Sequence, residues 1–123
     1  MKVVIVEEEP ELARLWAAHL QRLGAEVVPC TDAVAARAAI AAEVPDVLVL
    51  DVDMGAGAAL LLADAAERAR PGVRVIAVTR SRFFSDGSIF ELLPGACTCL
   101  PAGVDPGDLG AVVTHYGAPR PAS

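Results

Sequence analysis

Lysine is almost missing from this 123-residue chain: Lys2 is the single one, and the remaining basic residues are arginines. Asp and Glu outnumber Lys and Arg 16 to 10, for a formal net charge of -6. Nucleic-acid affinity depends on basic residues neutralising phosphates, so direct nucleic-acid binding is not expected. Aromatic residues make up 4% against 54% hydrophobic residues, so the core must be built from Ala, Val, Leu and Ile. No uncharged apolar stretch reaches the roughly 20 residues of a membrane helix. Met1-Lys2 leads directly into a strand-like run and Glu7-Glu8-Glu9, without the small-residue cleavage site of a secretory signal. The expectation is a cytoplasmic protein with no membrane association. Cys30, Cys97 and Cys99 are an odd number in a chain long enough to have a core, which argues against a disulfide framework.

What is present is a series of short apolar runs separated by helical patterns. The length suits one domain, expected over residues 1–117, with 118–123 as a flexible tail. Residues 3–6 are β-branched and too short for a helix, so they read as a buried strand. Pro10 suits a first helical turn, Leu12, Trp16, Leu20 and Leu23 recur at helical spacing, and Gly24 supplies a stop. Residues 25–30, with Glu26 and Pro29 inside, read as an edge strand. Thr31 or Asp32 can cap an Ala-rich helix whose small-residue face is expected to carry Val34, Ala38, Ala41 and Ala42.

A strand is expected at 46–50, apolar from Val47 to Leu50, a helix at 59–70, a strand at 73–78 ending at Thr79, a short helix at 88–93, an edge strand at 96–100 and a final helix at 106–116. Gly107 and Gly110 weaken that last helix. Strands alternating with helices imply parallel pairing through right-handed crossovers: an α/β three-layer sandwich around a five-stranded parallel sheet. The first, third and fourth strands are the most apolar and should be central. That order brings Glu7, Glu8 and Asp51 to one crevice at the strand ends, where open α/β sheets place their chemistry.

Carboxylates gathered at strand ends repel one another unless a proton or a hard cation offsets them, and oxygen ligands suit Mg²⁺. With such a cation, an aspartate can act as nucleophile toward phosphorus. Thr79 could donate its hydroxyl to a phosphoryl oxygen.

The pattern resembles the receiver domain of two-component response regulators over about residues 2–116. It is carried by Val3-Val4-Ile5-Val6-Glu7-Glu8-Glu9-Pro10, Pro45-Asp46-Val47-Leu48-Val49-Leu50-Asp51, Val75-Ile76-Ala77-Val78-Thr79 and Gly95-Ala96, in the family's order and spacing. The resemblance implies a flavodoxin-like strand order 2-1-3-4-5. It implies that Asp51 is the phosphoacceptor, that Glu7 and Glu8 are the acidic pair holding Mg²⁺ together with Asp51, that Asp53 lends the metal a backbone carbonyl, and that Thr79 is the switch hydroxyl. It further implies phosphotransfer from a sensor histidine kinase or phosphotransfer protein, a separate output protein, a homodimer through the last helix and its neighbouring strand, and a signalling module rather than an enzyme.

The chain departs from that family in the acidic pair, where Glu8 is longer than the usual aspartate, and at Gly55, where the family commonly has proline. It also carries Cys99 in place of the aromatic switch residue and Ala102-Gly103 in place of Lys-Pro. Arg80 or Arg82 is a candidate substitute for the missing lysine, and Phe83 and Phe84 are candidates for a surface that repacks. Cys97 and Cys99, two apart in a strand, should share a face, and small buried residues are the better reading than a soft-metal site. His19 and His115 do not resemble catalytic bases.

Two other functions fit parts of the pattern. A phosphorylation-independent pseudo-receiver, acting as an interaction module, fits the departures. A haloacid-dehalogenase-like phosphatase fits the Asp51-Val52-Asp53 run but lacks the later lysine and has its motif on the wrong strand.

Overall fold

The structure, a computed structural model, describes residues 1–80 and 93–118. Within them the chain runs β1 (Lys2–Val6), α1 (Pro10–Arg22), β2 (Glu26–Cys30), α2 (Ala33–Glu43), β3 (Val47–Asp51), a 3-10 turn (Val52–Met54), α3 (Ala56–Ala69), β4 (Arg74–Thr79), β5 (Ala96–Pro101) and α4 (Pro106–Gly117). The short helix expected at 88–93 lies outside the described residues except for Leu93, as do Arg82, Phe83, Phe84 and all of the tail beyond Ala118.

All four strand pairs are parallel and the sheet order is β2-β1-β3-β4-β5, as expected. Every residue of β3 is buried, because helices cover both faces of its strand and it has strand neighbours on both sides. Side chains alternate between the faces. Val4, Val6, Leu48, Leu50, Val75 and Ala77 pack with Ile40 of α2 and Leu62, Ala63 and Ala66 of α3. Val3, Ile5, Val47, Val49, Ile76 and Val78 pack with Trp16 and Leu20 of α1 and Leu109 and Val113 of α4. Fully burying side chains of this size contributes about 1.5–3 kcal/mol each before entropy is counted.

Three local expectations are corrected. The buried face of α2 is Ala36, Ala39 and Ile40, while Val34 is 84% exposed and Ala38, Ala41 and Ala42 face solvent. In a helix made almost wholly of alanine, hydropathy does not mark a face, and the one bulky residue that needs cover, Ile40, sets the rotation. On α1, Leu23 is the C-cap and is exposed; Ala13 and Ala17 complete the buried stripe with Trp16 and Leu20.

The third correction concerns β5. Val75 pairs with Ala96 but Ile76 pairs with Thr98, so Cys97 is a bulge residue, with its Sγ 3.4 Å from the Val75 carbonyl oxygen. The extra residue puts Cys97 and Cys99 on opposite faces of the sheet rather than on one. A shared soft-metal site is thereby removed.

Gly110 also has a packing reason. A Cβ there would come within 2.8 Å of Leu23 and 3.0 Å of His19, so glycine permits the close approach of α4 to α1. Asp105 caps α4 by accepting from the Gly107 amide at 2.7 Å. No helix among the described residues is long and apolar enough to cross a membrane.

Candidate functional site

The C-terminal ends of β1, β3 and β4 deliver Glu7, Asp51 and Thr79 to one place, and these are the buried polar residues of the described chain. Glu7 follows the last residue of β1; its amide donates to the Cys30 carbonyl at 3.0 Å, extending the ladder by one bond and holding the side chain inward. Asp51 ends β3 and caps the 3-10 turn, its Oδ1 accepting from the Asp53 amide at 2.9 Å. Its Oδ2 lies 3.5 Å from the Glu8 amide, a long contact.

Glu7 and Asp51 are 1% and 2% exposed. Burial, and next the negative charge of Asp51, push the Glu7 carboxyl up to about 6 from 4.5; the Glu9 amide and the Arg80 guanidinium act against that rise. Arg80 Nη2 donates to Glu7 Oε1 at 3.2 Å and to Glu9 Oε2 at 3.1 Å. The crevice therefore already contains one fixed positive charge.

Asp53 is exposed, yet its carboxylate is engaged on both oxygens. Oδ1 accepts from the Thr79 hydroxyl at 3.0 Å and Oδ2 from the Arg80 amide at 2.6 Å. These bonds tie the turn after β3 to the end of β4.

Of the four expected metal ligands, the structure brings the Glu7 and Asp51 side chains together as a buried pair. Glu8 faces solvent, and what it brings to Asp51 is a backbone amide. The Asp53 side chain is held by Thr79 and Arg80, which leaves its carbonyl as the atom expected to serve a metal. Among the described residues no three His, Cys, Asp or Glu side chains form a group able to hold a metal ion. The buried pair Glu7 and Asp51 still fits Mg²⁺, which is commonly held by one or two carboxylates and completed by water and phosphate oxygens.

Cys99 is half-buried against the α2–α3 side of the core, and burial raises its thiol pKa, with Asp53 adding to the rise. Ala102 donates its amide to the Thr79 carbonyl at 3.0 Å, so the position expected for the lysine contributes backbone alone. The side-chain roles of Asp53 and the amides of Glu8 and Arg80 were not foreseen. A second acid two residues after Asp51 was the one signal available. A cleft of about 440 Å³ lies at the opposite end of the sheet, around Asp46, Arg70 and Tyr116, where an Arg70–Asp46 ion pair of 3.2 Å neutralises charge.

The family model of the response regulator receiver domain matches residues 3–110. A comparison with curated proteins returned no match. Among solved structures, a CheY-like receiver domain protein from Methanospirillum hungatei is similar at a TM-score of 0.81 and 24% identity, over 94% of this chain and 92% of the other. The BeF3-activated receiver domain of Klebsiella pneumoniae RstA is similar at 0.78 and 25% identity, over 97% of this chain and 100% of the other. A receiver domain protein from Clostridium thermocellum gives 0.78 at 19% identity, over 94% and 92%.

Proposed function

The chain belongs to the response regulator receiver domain family, whose role is two-component phosphorelay signalling, and from that premise we propose that Asp51 is its phosphoacceptor. The observation that carries the proposal is the pairing of two buried carboxylates, Glu7 and Asp51, beside Arg80. An acid whose pKa is raised by burial, and next by a neighbouring negative charge, is held in a state that added positive charge would relieve.

In the transfer, an Asp51 carboxylate oxygen bonds to phosphorus while the P–N bond of a donor phosphohistidine breaks. The electron pair leaves with the imidazole, which takes up a proton. Mg²⁺, when bound, supplies charge withdrawal from the carboxylate and the phosphoryl oxygens; Glu7, Asp51 and the Asp53 carbonyl are the groups that would hold it. Arg80 takes part of the role that lysine has in the family, as the fixed cation among these carboxylates. Thr79 offers its hydroxyl to a phosphoryl oxygen.

The domain spans residues 1–117, with 118–123 as a tail. It acts in the cytoplasm as a phosphoryl carrier rather than a multiple-turnover enzyme. Its partners are a sensor histidine kinase or phosphotransfer protein and a separate output protein, with a homodimer as one form of output. Because Cys99 cannot act as an aromatic switch, the response must leave by another route.

The test is incubation with Mg²⁺ and acetyl phosphate, followed by intact mass measurement. A gain of one phosphoryl group in the wild type and none in Asp51→Asn supports the proposal. Equal gain in both, or none in either at millimolar metal, refutes it; the latter result favours the phosphorylation-independent reading.

A further inference from the structure

We propose that the Asp53 carboxylate is an internal stand-in for the phosphoryl group: before transfer it occupies two hydrogen-bond donors that the phosphoryl oxygens use afterwards. The inference rests on Asp51 being the phosphoacceptor. The donors are the Thr79 hydroxyl and the Arg80 amide, adjacent in sequence at the end of β4, the strand next to β3. Each holds a different oxygen of the same carboxylate, at 3.0 and 2.6 Å. Two donors that bind two oxygens on one carbon can bind two oxygens on one phosphorus.

Asp53 is also tied to the reacting residue, because its amide donates to Asp51 Oδ1 at 2.9 Å. Modification of Asp51 therefore disturbs the three-residue turn, Val52–Met54, on which the stand-in sits. A phosphoryl group brings about 1.5–2 negative charges to the neighbourhood of Asp53, and the two anions repel. The donors pass to the more highly charged acceptor. Since Asp53 is exposed, its displaced carboxylate is hydrated at little cost.

Two consequences follow. The stand-in holds the end of β4 in place without a phosphoryl group, and it opposes labelling because its bonds must be exchanged first. Asp53→Ala removes both acceptors, and Asp53→Asn keeps one acceptor without the charge. Neither substitution alters the Asp53 carbonyl.

The test combines two readouts on wild type, Asp53→Ala and Asp53→Asn. With acetyl phosphate and Mg²⁺, followed by intact mass, Asp53→Ala should label about fivefold to tenfold faster than wild type, with Asp53→Asn between them. In amide NMR spectra, the Arg80 proton should lie downfield in wild type, move upfield in Asp53→Ala, and return downfield when beryllofluoride and Mg²⁺ are added.

Labelling of Asp53→Ala at or below the wild-type rate, with wild type labelled at Asp51, overturns this inference alone. So does an Arg80 amide unmoved by Asp53→Ala. Failure of wild type and both variants to label at Asp51 overturns the phosphoacceptor assignment, and the stand-in falls with it.

Discussion

Arg80 reaches from the end of β4 to Glu7, which follows β1 across the sheet, and closes an ion pair of 3.2 Å. The two are 73 positions apart in sequence, and Glu7 is 1% exposed where Arg80 is 47% exposed. A buried carboxylate thus has its counter-charge supplied from the rim, beside the residue assigned as phosphoacceptor.

Removing that guanidinium should leave Glu7 buried without its partner. In Arg80→Ala the Glu7 carboxyl should titrate higher still, and labelling of Asp51 by acetyl phosphate should slow by about tenfold. Arg80→Lys keeps the charge and should recover part of the loss. Because both variants retain the Arg80 amide, they separate the guanidinium from the backbone donor. An unchanged rate in Arg80→Ala would remove Arg80 from the site.

Glu7 should make stability depend on pH. Its carboxyl titrates at about 6 in the folded protein against 4.5 ordinarily, so between these values the folded state binds the proton more strongly than the unfolded chain. The stabilisation is fully present below about 4.5 and is lost as pH rises through about 6. At pH 7 Glu7→Gln should therefore be more stable than wild type by roughly 1–2 kcal/mol in chelator, and the difference should shrink on acidification. Urea unfolding of both proteins from pH 4.5 to 7 checks this. A constant difference would contradict it.

Backbone handedness predicts two substitutions of opposite sign. Gly95 has φ +75°, and a Cβ there would meet the Val73 carbonyl oxygen at 2.7 Å. Gly95→Ala should destabilise by about 2 kcal/mol or more, since that oxygen is fixed backbone. Val44, at the end of α2, has φ 47°, a left-handed conformation that a β-branched residue adopts at a cost. Val44→Gly should stabilise by about 0.5–1 kcal/mol. Thermal or urea unfolding gives both values.

Much of the fold was legible because its signals are local and strong. The run from Val47 to Leu50 is apolar at every position, which marks a strand covered on both faces, and Pro29 marks an edge. The face of α2 was not legible, since alanine packs or faces water at similar cost and Ile40 alone carried the information. The bulge at Cys97 was hidden because a period of two cannot reveal one extra residue in a strand.

At the site, Asp51, Glu7 and Thr79 were legible from strand ends and motif order. The exposure of Glu8 and the approach of its amide to Asp51 were not legible, because both depend on the turn that follows the strand. The bonds of Asp53 were out of reach for the same reason: they depend on a three-residue turn that brings its carboxylate to β4.

The central claim is that Asp51 carries the phosphoryl group. An aspartyl phosphate is reduced by borohydride to homoserine, which marks the modified residue permanently. The protein should be treated with acetyl phosphate and Mg²⁺, reduced, digested and sequenced by mass spectrometry. Homoserine at position 51, and unmodified aspartate at 53, is the result this account predicts. Homoserine at another position, or at none while intact protein gains a phosphoryl group, would contradict it.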